Sequence, residues 1–222
     1  MPRVDLPPTH APVRRPTHPA AASTPPGQAP APRRLTFVTG NPGKLSEMSA
    51  MLSPLGIEVV GDARGYQEPQ AATLRDVTEA GARQLLAQGL QAPFMLEDSG
   101  LFVAALRGFP GVYSRHALET VGVAGLLRLL RDVELEMRSA AFQADLCYVD
   151  AAGALHHFEG TCRGRIAERP AGTSGFGFDP VFVPEGHAAT FAEMDEAAKG
   201  RLSHRGKAAV ALFRHLSEAA KP

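Results

Sequence analysis

The sequence predicts an α/β fold in which a mixed central β-sheet is flanked by helices. From about residue 34 onward, short β-rich runs alternate with segments whose apolar residues recur at helical spacing. Such alternation is typical of strand–helix–strand units with parallel strands. In the second half, two long β-rich runs, 139–149 and 155–169, are separated by the turn sequence Ala151-Ala-Gly153, which predicts an antiparallel hairpin. Parallel and antiparallel pairing together indicate a mixed sheet.

The first 33 residues differ in composition from the rest of the chain. They hold ten of the 19 prolines and almost no large apolar residues. Such a segment cannot bury a core, so we expect residues 1–33 to be a disordered or partly polyproline II tail and residues 34–222 to form one domain. The tail lacks the continuous apolar stretch of a secretory signal. It fits a linker, an interaction tail or a start codon assigned too far upstream.

Composition restricts the classes of partner. The 23 basic and 23 acidic residues cancel, so no overall field favours nucleic acid or an anionic membrane. No apolar run approaches the length of a membrane span. Cys147 and Cys162 lack metal-ligand spacing and are typical of buried thiols in a reducing cytosol. We therefore expect a cytoplasmic protein that binds phosphate, if at all, through a local site.

The first predicted unit is a strand, a tight turn and a helix. Residues 35–39 are β-rich, and residues 40–44 form a glycine-containing turn. Asn41 suits a helix N-cap, and Pro42 suits the first helical position. Apolar residues then follow at helical spacing, and residues 57–60 predict a second strand.

The remaining elements continue the alternation. Before the hairpin we expect a polar loop over 61–72, a helix over 74–90, an apolar strand over 94–96 ending at Glu97-Asp98-Ser99-Gly100, an apolar run over 101–106, a turn over 107–114 and an amphipathic helix over 121–133. After it we expect a glycine-rich loop over 173–182, a short strand over 181–183 and a final helix over 204–219, with Ser203 as N-cap and Val210, Phe213 and Leu216 facing the core.

The first candidate for chemistry is the turn from Thr39 through Asn41 to Lys44. A turn between a strand and a helix start presents amide groups and the positive end of the helix dipole, and Lys44 adds a cation. The pattern is not a Walker A loop, because Leu45 follows the lysine where that motif has Ser or Thr. The alternative is a tight turn with a solvated lysine.

The second candidate is the acidic pair Glu97-Asp98 at the end of the predicted third strand. Oxygen ligands of this kind suit Mg²⁺, which usually takes one or two carboxylates and keeps several waters. A carboxylate beside a metal-bound water can also act as a general base. The alternative is an acidic turn in which Asp98 bonds local amides.

The third candidate is the start of the last helix. Free amides there, together with His204, Arg205, Lys207 and the preceding Lys199, favour anion binding. The alternative is a capped helix with surface charges. The turn over 107–114, with its Gly-Phe-Pro-Gly sequence, fits a plain turn packed by aromatic rings.

The fourth candidate is the loop over 173–182. Its glycines allow close approach of the backbone to a ligand, and Phe176, Phe178 and Asp179 could present flat apolar faces beside a carboxylate. The residues leave open which of the two rings faces a ligand. The alternative is a β-turn whose aromatic side chains point into the core.

In their order, these segments resemble the inosine/xanthosine triphosphate pyrophosphatases, the Ham1-like enzymes that remove non-standard purine nucleotides. The resemblance covers the chain from about residue 35 to its end. It rests on seven pieces: Thr39-Gly-Asn-x-x-Lys44, Glu97-Asp-Ser-Gly-Leu101, Gly108-x-Pro-Gly-Val-Tyr113, Gly175-Phe-Gly-Phe-Asp-Pro-Val-Phe182, Phe191-Ala-Glu-Met194, Lys199 and Ser203-His-Arg205.

The resemblance implies a role for each matching residue. Asp98 would be the general base, with Glu97 beside it near the metal. Phe178 would stack on the purine, and Asp179 would bond near the base. The triphosphate would be held by Thr39, Asn41 and Lys44 with Ser99, and the 6-keto edge of the base would be read by Lys199, His204 and Arg205.

The chain departs from the bacterial pattern after the second strand, where it is more similar to the eukaryotic and archaeal branch. Glu68 is therefore the candidate second metal carboxylate. The helix lysine that is usual in the family is displaced, since Gly81 or Arg83 stands near its place. The sequence thus leaves open whether the phosphate contact of that lysine is made.

The resemblance implies two lobes around a cleft, a homodimer, and Mg²⁺-dependent hydrolysis of ITP, dITP and XTP to the nucleoside monophosphate and pyrophosphate. Two alternatives remain open. One is a non-catalytic purine nucleotide-binding module on the same fold. The other is a pyrophosphatase of modified pyrimidine nucleotides on a related fold.

Overall fold

The computed structural model describes residues 33–218. The predicted tail over 1–33 lies outside the described residues except for Arg33, which already belongs to the first strand. The domain division at residue 34 therefore stays a prediction. Within the described part, no helix is both long and apolar enough to cross a membrane.

Residues 33–218 form six strands and six α-helices, which alternate from β1 to β3. The strands are β1 (Arg33–Val38), β2 (Ile57–Asp62), β3 (Phe94–Val103), β4 (Ser139–Val149), β5 (Leu155–Ile166) and β6 (Phe182–Pro184). The helices are α1 (Pro42–Leu52), α2 (Leu74–Ala87), α3 (Ser114–Thr120), α4 (Gly122–Leu129), α5 (Glu196–Leu202) and α6 (His204–Glu218).

The predicted mixed sheet is confirmed. All six strands form one sheet in the order β2-β1-β3-β4-β5-β6. β1 pairs in parallel with both β2 and β3, whereas β4 runs antiparallel to β3 and to β5, and β6 is antiparallel to β5. The predicted hairpin is the β4–β5 pair, and Asp150 organises its turn by accepting hydrogen bonds from the amides of Ala152 and Ala154 at 2.9 Å.

Helices cover both faces of the sheet, and the alternation of β3 shows which side chains meet which helix. Met95 packs with apolar residues of α1 and α6. Its neighbours Phe94 and Leu96 point the other way and pack with Ala82 and Leu85 of α2. Cys147 and Cys162 are buried free thiols, as predicted.

The prediction that the third strand ends at the acidic pair is wrong. β3 runs unbroken from Phe94 to Val103 and pairs with β4 along its whole length, so Glu97 and Asp98 lie in its middle. Their backbones are tied by the antiparallel ladder, and consecutive side chains must point to opposite faces of the sheet. The two carboxylates therefore enter different environments.

Several helix predictions need correction. α2 stops at Ala87, and the predicted helix over 121–133 ends at Leu129. The short helices α3 and α5 were not predicted, since seven residues carry little periodicity. In α6, Ser203 caps the start through its Oγ, as predicted, and Leu216 and Phe213 pack on the core, but Val210 is 47% exposed and Leu212 is buried in its stead.

Candidate active site

A cleft of about 520 Å³ opens where β1 and β2 end, beside the middle of β3. The loop before β6, α3 and the α5–α6 junction form its other walls. Carboxyl ends of parallel strands are a common position for ligand sites in α/β sheets. All thirteen predicted site residues line this cleft: Thr39, Asn41, Lys44, Glu68, Glu97, Asp98, Ser99, Phe176, Phe178, Asp179, Lys199, His204 and Arg205.

The loop from Thr39 to Lys44 is fixed by its own side chains. The Asn41 side chain accepts hydrogen bonds from the amides of Gly43 and Lys44, at 2.9 and 3.2 Å, and caps α1. These amides at the helix start are thus already occupied by the cap, contrary to the expectation that they are free for phosphate. Thr39 Oγ1 in turn accepts from the Asn41 amide at 3.1 Å.

Lys44 is not the solvated lysine of the alternative interpretation. Its side chain is only 16% exposed, and its Nζ lies 2.9 Å from Glu97 Oε2 and 3.1 Å from the Glu97 carbonyl oxygen. α1 thus places this cation directly over the middle of β3, on the side of the sheet where Glu97 points.

Glu97 is enclosed by cations. Its carboxylate is fully buried between Lys44 and Arg205, whose NH2 group lies 3.2 Å from Oε1. Burial alone would raise the pKa of Glu97, but the charges of Arg205 and Lys44 outweigh it and hold the pKa at about 2. The carboxylate is therefore ionised and engaged in ion pairs on its own face of β3.

Asp98 has the opposite character. Burial, only partly offset by Lys44, raises its pKa to about 7, with further repulsion from Glu97 and Glu68. Within residues 33–218, neither Asp98 nor Glu68 takes part in an ion pair. Two unneutralised carboxylates consequently face the same cleft, and one of them changes charge near neutral pH.

A buried ion network forms the opposite wall, and its centre is Glu47, which the sequence analysis missed. Lys199 Nζ lies 2.5 Å from Glu47 Oε1 and 2.6 Å from Asp179 Oδ2. Arg205 pairs with the second oxygen of Glu47, and its NH2 group also donates to Ser99 Oγ at 3.1 Å. The signal in the sequence is the spacing of Glu47 three residues after Lys44, which puts both on one face of α1.

His204 is held neutral. It is 4% exposed and stacks on Phe142, with ring centroids 4.9 Å apart. Burial and the neighbouring Arg205 charge lower its pKa well below the ordinary value. Its Nδ1 atom is buried and has no hydrogen-bond partner within the described part of the chain. A buried ring nitrogen without a partner at the wall of a cleft is available to a ligand.

The two phenylalanines of the loop over 173–182 differ in exposure. The Phe178 ring is 3% exposed and belongs to the apolar core, whereas Phe176 is half-buried. Lys199 Nζ lies 4.8 Å from the centroid of Phe176, and Arg205 Cζ lies 5.6 Å from it. Phe176 is therefore the ring with a face toward the open cleft and its cations.

Asp179 fixes the shape of this loop. Its Oδ2 atom accepts the Phe176 amide at 2.8 Å and also pairs with Lys199. Gly175 has a φ of +75°, and a Cβ atom there would lie 2.2 Å from Asp179 Oδ2. Only glycine permits this turn, so the loop holds Phe176 through backbone geometry as well as through the ion network.

Neither substitute for the displaced helix lysine enters the cleft. Gly81 lies beneath the Tyr66 ring, where a Cβ atom would come within 2.7 Å. Arg83 is exposed and pairs with Glu79, one turn earlier on α2. The residues that line the cleft do not include Gly81, Arg83 or Glu79. Cations that were not predicted do line it, namely Arg64 after β2 and Arg115 on α3.

The fold and the cleft define a class: an α/β protein whose cleft combines carboxylates without ion-pair partners in the described chain with an aromatic and cationic wall. The profile of the Ham1 family matches residues 35–215, and the chain belongs to this family.

Named relatives agree with this assignment. The dITP/XTP pyrophosphatase of Thermococcus kodakarensis is 51% identical over 175 residues, which cover 79% of this chain and 92% of that protein. The dITP/XTP pyrophosphatase of Pyrococcus horikoshii is 45% identical over 184 residues, covering 82% and 96%.

Solved structures agree as well. A HAM1 protein from Coxiella burnetii superposes with a TM-score of 0.72 at 29% identity, covering 84% of this chain and 99% of that one. A nucleoside-triphosphatase described as a dITP/XTP pyrophosphatase, from Mycobacterium abscessus, gives a TM-score of 0.63 at 37% identity, covering 81% and 98%.

Proposed function

We propose that this protein hydrolyses dITP, ITP and XTP to the nucleoside monophosphate and pyrophosphate, and so removes non-standard purines from the nucleotide pool. The observation that carries the proposal is Asp98, a carboxylate without an ion-pair partner in residues 33–218 that lines the cleft between the Thr39–Lys44 loop and the Phe176 wall. The names of the Thermococcus and Pyrococcus relatives support the substrate class.

The donor set fits Mg²⁺. Asp98 and Glu68 are carboxylates that line the cleft and repel each other. The raised pKa of Asp98 means that its negative charge is poorly stabilised, and a bound cation would stabilise it. Glu97 fits poorly as a metal ligand, because Lys44 and Arg205 already engage its buried carboxylate. We therefore assign the metal to Glu68 and Asp98. When bound, the metal would neutralise charge on the triphosphate oxygens.

Asp98 acts as the general base in this proposal. It would remove a proton from the water that attacks the α-phosphorus, since an unpaired carboxylate that lines the cleft can accept a proton there. Lys44 stabilises the departing pyrophosphate, and Asn41 and Thr39 keep the loop in shape around it. Glu97 serves as the anchor that points Lys44 into the cleft.

The wall formed by Phe176, His204 and the ion network receives the purine. We propose Phe176, in place of Phe178, as the ring that stacks on the base, because the Phe178 ring is in the core. Phe176→Ala should raise KM for every purine substrate, and an unchanged KM would restore Phe178 as the candidate. In this proposal, N–H groups of Lys199 and Arg205 that their ion pairs leave unused donate to a 6-keto oxygen, whereas the 6-amino group of adenine would place donor against donor.

The experiment is a substrate panel in which pyrophosphate release is measured with Mg²⁺ and with EDTA. We expect turnover of dITP, ITP and XTP that requires the metal, and little turnover of ATP or UTP. Binding of ITP without turnover would favour the non-catalytic module. Preference for dUTP or modified pyrimidine nucleotides would favour the related fold.

We also propose a homodimer in the cytoplasm, on the grounds of family resemblance alone. Size-exclusion chromatography with light scattering tests the first part, since a mass near that of one 23.5 kDa chain would contradict it. Fluorescence microscopy of a tagged chain in its own host tests the second.

A further inference from the structure

The interior cations of the cleft are already neutralised. Five basic side chains line it: Lys44, Arg64, Arg115, Lys199 and Arg205. Three of these pair with the buried carboxylates of Glu47, Glu97 and Asp179. Arg64 and Arg115 also pair with carboxylates, Asp62 and Glu119, but both arginines are exposed, so an incoming phosphate can approach their guanidinium groups.

Arg64 lies on the rim beside the Thr39–Lys44 loop. It follows β2, and the carbonyl oxygen of Asp62 in that strand accepts the Thr39 amide at 2.9 Å. This backbone bond ties the segment of Arg64 to the loop to which we assign the triphosphate. The Arg64 side chain remains 44% exposed.

Asp62 orients the guanidinium of Arg64 but accepts a hydrogen bond from only one of its nitrogen atoms. Its Nε donates to Asp62 Oδ2 at 2.7 Å, while the other carboxylate oxygen accepts the Arg64 amide at 2.9 Å. Its two terminal amino groups make no hydrogen bond with any other residue of 33–218. Asp62 thus holds the planar group by one edge and leaves the other edge with free donors. That edge is the fork that matches two phosphate oxygens.

We infer that Arg64 is a further ligand of the triphosphate, positioned by Asp62, which supplies the phosphate-binding cation that α2 does not provide. This inference rests on the proposed function. Because Arg64 would contact phosphate and no part of the base, it would favour triphosphates over monophosphates without affecting which purine is chosen.

The kinetic test compares Arg64→Ala with Arg83→Ala. Arg83 is a matched control, because it is also an exposed arginine bonded to a nearby carboxylate, but it lies outside the cleft lining. We expect Arg64→Ala to raise KM for dITP about tenfold and to leave kcat within about threefold, which is the effect of losing one charge-assisted contact. Arg83→Ala should change neither. Partial recovery of KM in Arg64→Lys supports a charge contact, and an unchanged KM in Arg64→Ala overturns the inference.

A binding test separates this inference from the proposed function. Calorimetry with inorganic tripolyphosphate and, separately, with dIMP requires no turnover. We expect Arg64→Ala to weaken tripolyphosphate binding about tenfold and to leave dIMP binding unchanged. Equal binding of tripolyphosphate by the wild type and the variant overturns the role of Arg64 even in an active pyrophosphatase. A wild type that fails to hydrolyse dITP, yet loses tripolyphosphate affinity through Arg64→Ala, would contradict the proposed function alone.

Discussion

At the scale of single residues, Glu97 and Asp98 are neighbours in the chain, yet their carboxylates lie in different environments. In β3 their side chains point to opposite faces of the sheet. Glu97 lies between two cations, whereas Asp98 is buried near other carboxylates. Their pKa values consequently lie at about 2 and about 7. Such a divergence suits a site in which one acid anchors cations and its neighbour exchanges a proton.

Asp98→Asn should reduce kcat for dITP by about 10²- to 10⁴-fold, because an amide cannot accept the proton of the attacking water. Nucleotide affinity should change much less, since the loop and the aromatic wall are untouched. Glu58→Gln, at an exposed carboxylate paired with Arg34, is the control and should keep wild-type rates. Turnover within about threefold of wild type in Asp98→Asn would exclude Asp98 as the base.

The raised pKa of Asp98 also predicts a pH-dependent stability of the metal-free protein. Between the ordinary pKa of 3.8 and about 7, the native state binds the proton more tightly than the unfolded state, so stability falls as pH rises through this window. Asp98→Asn removes this penalty. In EDTA, we expect it to raise Tm by at least about 2 °C at pH 8 and to have no such effect at pH 4. An identical shift at both pH values would argue against the raised pKa.

At the scale of elements, the unit from β1 through the loop to α1 combines fold stability with site geometry. Asn41 closes the start of α1 with its side chain, and the same residue lines the cleft. Thr73 closes α2 in a comparable way, through a capping box with Asp76, but neither residue of that box lines the cleft. A comparison of the two caps can therefore distinguish the structural effect of losing an N-cap from an effect on the site.

Asn41→Ala and Thr73→Ala should each lower the free energy of unfolding by about 1 kcal/mol, the usual cost of losing an N-cap side chain. Only Asn41→Ala should also raise KM for dITP, because the loop that faces the triphosphate loses its internal support. Chemical denaturation and steady-state kinetics on both variants check this. Comparable KM changes in the two variants would show that the effect is one of general stability.

At the scale of the whole molecule, the ion network joins segments that are far apart in the chain. Glu47 on α1, Glu97 on β3, Asp179 before β6, and Lys199 and Arg205 on α5 and α6 all meet behind the cleft. Four of these charges are buried and Glu47 is only 12% exposed, so removing one leaves its partners with less compensation. The network therefore fixes the positions of the cleft walls relative to one another.

Glu47→Gln should destabilise the protein by about 3–5 kcal/mol, because it leaves Lys199 and Arg205 short of a counter-charge in a buried place. Tm should fall by roughly 6 °C or more. Glu79→Gln, at the exposed pair with Arg83, is the matched control and should leave Tm nearly unchanged. A loss of similar size in both variants would mean that burial does not strengthen the network.

The alternation of strands and helices, the parallel β1 unit, the hairpin and the caps Asn41 and Ser203 were predictable, because each depends on local periodicity or on short-range hydrogen bonds. The same holds for which residues line the cleft, since the motifs follow one another in the order that the family resemblance implies. Short helices such as α5 carried too little periodicity to be predicted.

The sequence by itself determined the sheet, the order of the motifs and the family resemblance. Only the tertiary structure decided that Glu97 is engaged by cations while Asp98 is unpaired within the described chain, that the Phe178 ring is buried in the core while Phe176 stays half-buried, and that Glu47 pairs with Lys199 and Arg205. The reason is that burial and charge pairing depend on neighbours more than a hundred residues away, such as Arg205 for Glu97. Local sequence patterns do not show which distant residues become neighbours in the fold.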